Sequence, residues 1–178
     1  MKIVGIDPGL YGAIACWEDG KWHNTIQLPI IEIKKGRNEL DLVNLALIIR
    51  QLILAPDVHQ VIIEHPPIIP GNGVLAYCSL FRGWGEIRGI IKGLRPFVSI
   101  LQPSPQAWKK VVLAGTAKDK EAAIHHVRTT YPTITIPPHP KPPKKGALHD
   151  GVADAVCLVE YGLKQLTQVQ SSVQSTDA

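Results

Sequence analysis

Four carboxylates in this chain stand where chemistry would need them. Asp7 closes the apolar run Ile3-Val4-Gly5-Ile6, and Glu64 closes Val61-Ile62-Ile63. Asp150 and Asp154 are four residues apart, a spacing that puts both on one face of a helix. Asp154 lies between Ala153 and Ala155, with no Lys or Arg near it in sequence. A buried carboxylate needs a partner, and four gathered together would repel one another and rise in pKa. Divalent cations relieve that repulsion. Mg2+ prefers hard oxygen ligands and is satisfied by a few carboxylates and several waters. Two such ions about 4 Å apart stabilise the attacking and leaving oxygens of phosphodiester hydrolysis. Singly, each acid has a plainer reading: a solvated strand end, or a favourable partner for a helix N-terminus. Their joint placement in apolar surroundings favours the chemical one. His149, beside Asp150, is either a further ligand or base, or a surface or capping residue.

The elements that must position these acids follow from periodicity. Lys2 to Asp7 reads as a buried strand, Gly12 to Trp17 as a second and Lys21 to Leu28 as a third, with Asp19-Gly20 as a hairpin signal. Residues 32 to 39 are polar and read as a loop. Asp41 to Leu54 follows the 3.6-residue period of a helix. Val58 to Glu64 is a short buried strand. Val74 to Leu94 reads as a long helix in spite of Gly83, Gly85, Gly89 and Gly93, which together suggest close approach of backbone or DNA. Phe97 to Leu101 is a fifth strand, and Pro105 to Leu113 and Lys118 to Tyr131 are helices. Pro132 to Gly146 is too rich in proline for regular structure. His149 to Leu163 is a final amphipathic helix.

This order predicts an α/β fold: a five-stranded mixed sheet, three strands antiparallel and then two parallel, with helices on both faces. It is the order of the RNase H-like fold. One domain, residues 1–163, accounts for it. Residues 164–178, rich in Gln, Ser and Thr, read as a disordered tail.

Charge adds a partner. The overall charge is +4, yet Arg82 to Lys145 holds twelve basic residues against three acids, a net of +9, which leaves −5 for the remainder. Such asymmetry suits a polyanion gripped by one face. No run of residues is apolar enough to span a bilayer, and the start of the chain reads as a strand rather than a signal peptide. The expected setting is cytoplasmic, in a bacterial or phage-infected cell, with no membrane partner. Cys16, Cys78 and Cys157 form no metal or disulfide motif and read as small core hydrophobes. A sugar-kinase or actin-like ATPase would need a duplicated domain and a second phosphate loop, for which the chain is too short.

The motifs resemble those of the RuvC-type Holliday junction resolvases. Gly5-Ile6-Asp7-Pro8-Gly9-Leu10 with Gly12-Ala13 is similar to the family's opening. Val61-Ile62-Ile63-Glu64 is similar to its second acidic motif, and Ser79-Leu80-Phe81-Arg82-Gly83 through Gly89 to its glycine-bearing helix. Trp108-Lys109-Lys110, Lys118-Asp119-Lys120 and His149-Asp150-Gly151-Val152-Ala153-Asp154-Ala155 complete the order. The four-residue spacing of Asp150 and Asp154 looks more like the phage-type and chloroplast enzymes than the bacterial ones, where three is usual. The resemblance implies a homodimeric endodeoxyribonuclease that nicks opposite strands of a four-way DNA junction, using Mg2+ or Mn2+; the alternatives are an RNase H-like nuclease acting on an RNA–DNA hybrid or a flap, and a junction-binding protein without catalysis. In the first reading Asp7, Glu64, Asp150 and Asp154 hold two Mg2+ ions, with Asp7 bridging, and Lys118 neutralises a phosphate beside them. Arg82, Arg88, Lys109, Lys110, Lys120, Lys141, Lys144 and Lys145 bind DNA phosphates. Gly9 and Gly12 let backbone approach the phosphate. Trp108 is either a half-buried core residue or a platform for a base. The glycine-rich helix is the candidate dimer contact.

Overall fold

A computed structural model describes residues 1–54, 57–68, 71, 73–116, 120–142 and 145–174, without the side chains of 120 and 169–174. The first three strands, β1 (Lys2–Asp7), β2 (Ala13–Glu18) and β3 (Lys21–Gln27), form the expected antiparallel meander, with Lys2 opposite Glu18 and Asp7 opposite Ala13. The β2–β3 turn places Asp19 at φ 45° and Gly20 at φ 86°, the pair of left-handed residues that matches the twist of a tight hairpin.

The next segment departs from expectation. Residues 32 to 39, which the sequence predicts as a loop, belong to a hairpin of β4 (Ile30–Lys34) and β5 (Arg37–Leu40) that forms a separate two-stranded sheet. β4 is exposed throughout. With β4 in water on both faces and β5 polar except for Leu40, the hairpin shows no apolar alternation, so the usual strand signal is missing.

The remaining elements are α1 (Leu42–Ile53), β6 (Val58–Ile63), α2 (Val74–Leu94), β7 (Ser99–Leu101), α3 (Pro105–Val112), α4 (Lys120–Thr130) and α5 (Asp150–Gln174). Asp41 caps α1 by accepting the Asn44 backbone N–H, and Ser104 caps α3 by accepting that of Ala107. β7 is shorter than predicted: it pairs with β6 at only three positions, and Phe97 is fully exposed. α5 is longer, running past Leu163 to Gln174. Beyond Gly162 no Pro or Gly stops it, and Leu163 and Leu166 pack on the core.

β6 lies parallel to β1, and β7 parallel to β6, giving the strand order β3-β2-β1-β6-β7. Val4, Ile6, Ile14, Val61 and Ile63 meet α1 and α2 on one face. Ile3, Ala13, Ala15 and Ile62 meet α3, α4 and α5 on the other. Strands covered on both faces explain the near-continuous apolar runs. Cys16 and Cys157 are buried in these cores, whereas Cys78 is exposed. No described helix is long and apolar enough to cross a membrane.

The contact between α5 and β1 is unusually close. A Cβ on Gly5 would lie 2.4 Å from the Ala155 carbonyl oxygen and 2.9 Å from the Val159 nitrogen. The glycines of α2 behave differently. Gly83 packs against Leu40, but a Cβ on Gly85, Gly89 or Gly93 would meet nothing within 4 Å beyond the helix's own backbone. Nothing else within the described chain approaches the backbone there.

Gly5→Ala is expected to lower the unfolding free energy by about 1–3 kcal/mol, the usual cost of forcing extra volume into a packed core. Gly85→Ala, in an open helix interior, is expected to raise it by up to about 1 kcal/mol. Urea denaturation of the two variants checks both signs; an unaffected Gly5→Ala would show that α5 can shift freely.

Candidate active site

The sheet sets the first two acids. Ile6 and Ile63 are partners in the parallel pair of β1 and β6, and the Glu64 backbone N–H donates to the Ile6 carbonyl at 3.1 Å. Asp7 and Glu64 therefore leave the sheet side by side, on strands about 4.8 Å apart. The turn after β1 folds back on itself. The Gly9 N–H donates to Asp7 Oδ1 at 3.0 Å, and the Gly12 N–H to the Gly9 carbonyl at 2.8 Å. A Cβ on Gly12 would lie 2.1 Å from the Asp7 carbonyl oxygen. The chain itself thus gives both positions a use beside the expected approach to a phosphate: the Gly9 N–H holds Asp7, and Gly12 leaves room for the turn.

α5 brings the second pair. A Cβ on Gly151 would lie 2.8 Å from Asp7 Oδ2 and 2.9 Å from the Tyr11 carbonyl oxygen, so the first turn of α5 is pressed against Asp7 and its turn. Asp150 opens that helix, and Asp154 follows one turn later. Asp154 is partly exposed, but its Oδ1 is enclosed and has no hydrogen-bond partner among the described residues. Burial first, then the charges of Asp7 and Glu64, and to a smaller degree Asp150, hold its carboxyl well above the ordinary value of 3.8, while Lys109 opposes them. Burial also raises Glu64, against the pull of Trp108 and Lys109. Thus the four acids named from sequence share one electrostatic neighbourhood.

Trp108 is fully buried, and its Nε1–H donates to Glu64 Oε2 at 2.5 Å. An enclosed indole cannot stack on a base, so its role is to pack and to hold Glu64. Lys109 Nζ lies 5.2 Å from the Trp108 ring centroid and is a cation whose charge reaches both Glu64 and Asp154. Lys118, chosen from sequence for a comparable place, lies outside the described residues, as does Lys144; Lys120 begins α4 with its side chain outside them.

His149 is buried, and its Nδ1 accepts the Val152 backbone N–H at 3.2 Å. It therefore caps α5. Burial and the neighbouring His139 lower its pKa. His139, which sequence reading passed over, places Nε2 3.5 Å from Asp150 Oδ1. Neither the Trp108–Glu64 pair, 44 residues apart, nor His139 in its Pro-rich segment carries a local signal that could have revealed it.

The other basic residues are spread over the surface. Lys110, Lys141 and Lys145 are exposed. Arg82 pairs with Glu39 at 3.0 Å and with Glu86 at 3.7 Å. The Arg88 guanidinium lies 4.3 Å from the Trp84 ring centroid, with its Nε buried.

Among the described residues, no three His, Cys, Asp or Glu side chains are gathered closely enough to chelate one ion as they stand. The donor set nevertheless fits a hard divalent cation. It is all carboxylate, mutually repelling, and includes one buried oxygen that lacks a partner.

No family model and no curated protein matches the chain. Solved structures do. A Thermus thermophilus RuvC in complex with a Holliday junction substrate superposes with a TM-score of 0.60 at 17% identity, over 90% of this chain and 91% of that one. A second Thermus thermophilus RuvC structure gives 0.54 at 17% identity, over 90% and 92%. The yeast mitochondrial Holliday junction resolvase Ydc2 gives 0.50 at 15% identity, over 95% and 80%. The chain has the RNase H-like fold of RuvC. In this RuvC-like fold the strand order and the two helical layers are those expected from the sequence, and the four acids sit at the end of β1, just after β6 and in the first two turns of α5.

The raised carboxyls make stability depend on pH. A carboxyl with a higher pKa in the folded than in the unfolded state binds its proton more tightly when folded. Its contribution is fully present below the unfolded value near 3.8 and is lost as pH rises through the folded value. In chelator, the unfolding free energy is expected to fall over that rise. Asp154→Asn is expected to flatten the fall, measured by denaturation at a series of pH values; an unchanged slope would place Asp154 in contact with water. Trp108→Phe, which strips Glu64 of its indole donor, is expected to cost about 1–3 kcal/mol in the same measurement.

Proposed function

We propose that this chain is a divalent-metal-dependent endodeoxyribonuclease that resolves four-way DNA junctions. The observation that carries the reading is Asp154: a carboxylate with one enclosed, unpartnered oxygen, crowded by Asp7, Glu64 and Asp150. Such an arrangement is costly for stability alone and useful where cations must be held. The fold it shares with a RuvC bound to a Holliday junction substrate supports the choice of DNA junction as substrate.

Asp7, Glu64, Asp150 and Asp154 would hold two Mg2+ ions, with Mn2+ as a substitute. Bound there, the cations would supply charge for the attacking and leaving oxygens of phosphodiester hydrolysis. The protein's own contribution is orientation and exclusion of water. Gly9 fixes Asp7 through its N–H, Trp108 fixes Glu64, and the seat of α5 on the sheet encloses Asp154 Oδ1. Lys109 offsets part of the carboxylate charge, and Lys118 is proposed to neutralise a phosphate nearby. Arg82, Arg88, Lys110, Lys120, Lys141, Lys144 and Lys145 are proposed to bind phosphates, which would make binding steeply salt-dependent. Two symmetric cuts require two active sites, and we assign the homodimer contact to the face of α2 left open at Gly85, Gly89 and Gly93.

The test is cleavage of a labelled four-way junction in Mg2+, set beside duplex, flap and RNA–DNA hybrid. The junction is expected to be cut preferentially, in paired symmetric nicks that stop in EDTA. Asp7→Asn is expected to lower the cleavage rate at least about 100-fold, or nearly 3 kcal/mol in barrier, while junction binding persists. Activity surviving the chelator, or loss of binding together with cleavage, would count against the metal role of Asp7. Preference for the hybrid would move the substrate to RNA.

A further inference from the structure

The segment between α4 and α5 holds a histidine that the four-carboxylate reading leaves unused. Although rich in proline, the segment is anchored at its ends. Pro138 and Leu148 form an antiparallel bridge, the His139 N–H donates to the Ala147 carbonyl at 2.9 Å, and the His149 N–H donates to the Pro137 carbonyl at 2.9 Å. The segment is thereby zipped to the residues that lead into α5.

The zip fixes the His139 ring. It sits between Tyr11, 5.8 Å away between ring centroids, and His149, 5.3 Å away. The side chain is only 12% exposed. Tyr11 is itself held, its hydroxyl accepting from Asn38 of the β5 strand at 3.3 Å. His139 Nδ1 accepts the Lys141 backbone N–H at 3.0 Å. A neutral imidazole has one donor and one acceptor, so its proton is on Nε2, the atom 3.5 Å from Asp150 Oδ1.

Asp150 has reason to need such a neighbour. It is the first residue of α5, where the free N–H groups of the helix end attract a carboxylate toward the helix itself. His139 Nε2, 3.5 Å from Oδ1, offers the carboxylate a partner outside the helix. We infer that His139 is a positioning residue, whose Nε2–H orients the Asp150 carboxylate for cation binding. The inference rests on the nuclease reading, in which Asp150 is a ligand. Outer partners of ligating groups commonly set affinity or activity by 10–100-fold, although they touch neither ion nor substrate.

The experiment compares His139→Ala and His139→Gln in the full chain. It reads Mn2+ binding by calorimetry and the Mg2+ concentration for half-maximal junction cleavage. His139→Ala is expected to weaken Mn2+ binding and to raise the Mg2+ requirement by about ten-fold. His139→Gln, whose amide can still donate, is expected to recover most of both. Thermal unfolding in chelator guards against a folding defect: if His139→Ala unfolds early, the Gln variant carries the comparison. Unchanged cation affinity in His139→Ala overturns the inference, and so does a Gln variant as weak as the Ala one, which would make the ring a direct ligand or a packing element. A wild-type chain that neither binds Mn2+ nor cuts the junction would overturn the nuclease reading as well; normal wild-type behaviour beside an indifferent His139→Ala overturns this inference alone.

Discussion

Everything at the candidate site depends on how closely α5 can lie on β1. Helix and strand meet at glycines on both sides: Gly5 under Ala155 and Val159, Gly151 against Asp7 and Tyr11, and Gly162 against Ile62. Side chains at these positions would hold the helix off the sheet. The helix that supplies much of the core on one face of the sheet is also the helix that carries Asp150 and Asp154. Packing and site assembly are therefore one event, and the acids cannot be loosened from Asp7 without loosening the core.

That seat creates an electrostatic conflict. One oxygen of Asp154 is enclosed, and its carboxyl still feels three others. Interiors that concentrate like charge usually give up stability for function. The protein limits the conflict locally. The Trp108 indole and the Gly9 N–H each take one carboxylate oxygen, and Lys109 contributes the opposing charge felt by Glu64 and Asp154. None of these neutralises the set. A hard cation would do so, and the residues supporting the acids are those that would keep the ligands oriented when it binds.

A second ionic cluster shows the contrast. Glu160, also buried, accepts from His126 at 2.7 Å and from Lys164 at 2.8 Å, and its pKa is lowered. Here a buried acid is given a lysine and a histidine as partners, which hold its carboxyl below the ordinary value. Asp154, six residues earlier on the same helix, has none so close. The same helix thus carries one carboxylate satisfied by the protein and another with an oxygen that no described residue partners.

The sequence by itself determined the sheet order and the helical layers, and it singled out four acids that the structure brings into one electrostatic neighbourhood. Each of these is written in local terms: apolar runs ending in an acid, a 3.6-residue period, a four-residue spacing. It misread residues 32 to 39, where a wetted hairpin has no apolar alternation, and stopped α5 at Leu163, where polar residues continue a helix that no Pro or Gly ends. Only the tertiary structure decided that Trp108 serves Glu64 rather than a base, that the Gly9 N–H holds Asp7, and that His139 stands beside Asp150. These are contacts between residues distant along the chain or set by a loop without periodicity. A side chain's partner there is fixed by the packing of α5 on β1, which no local pattern encodes.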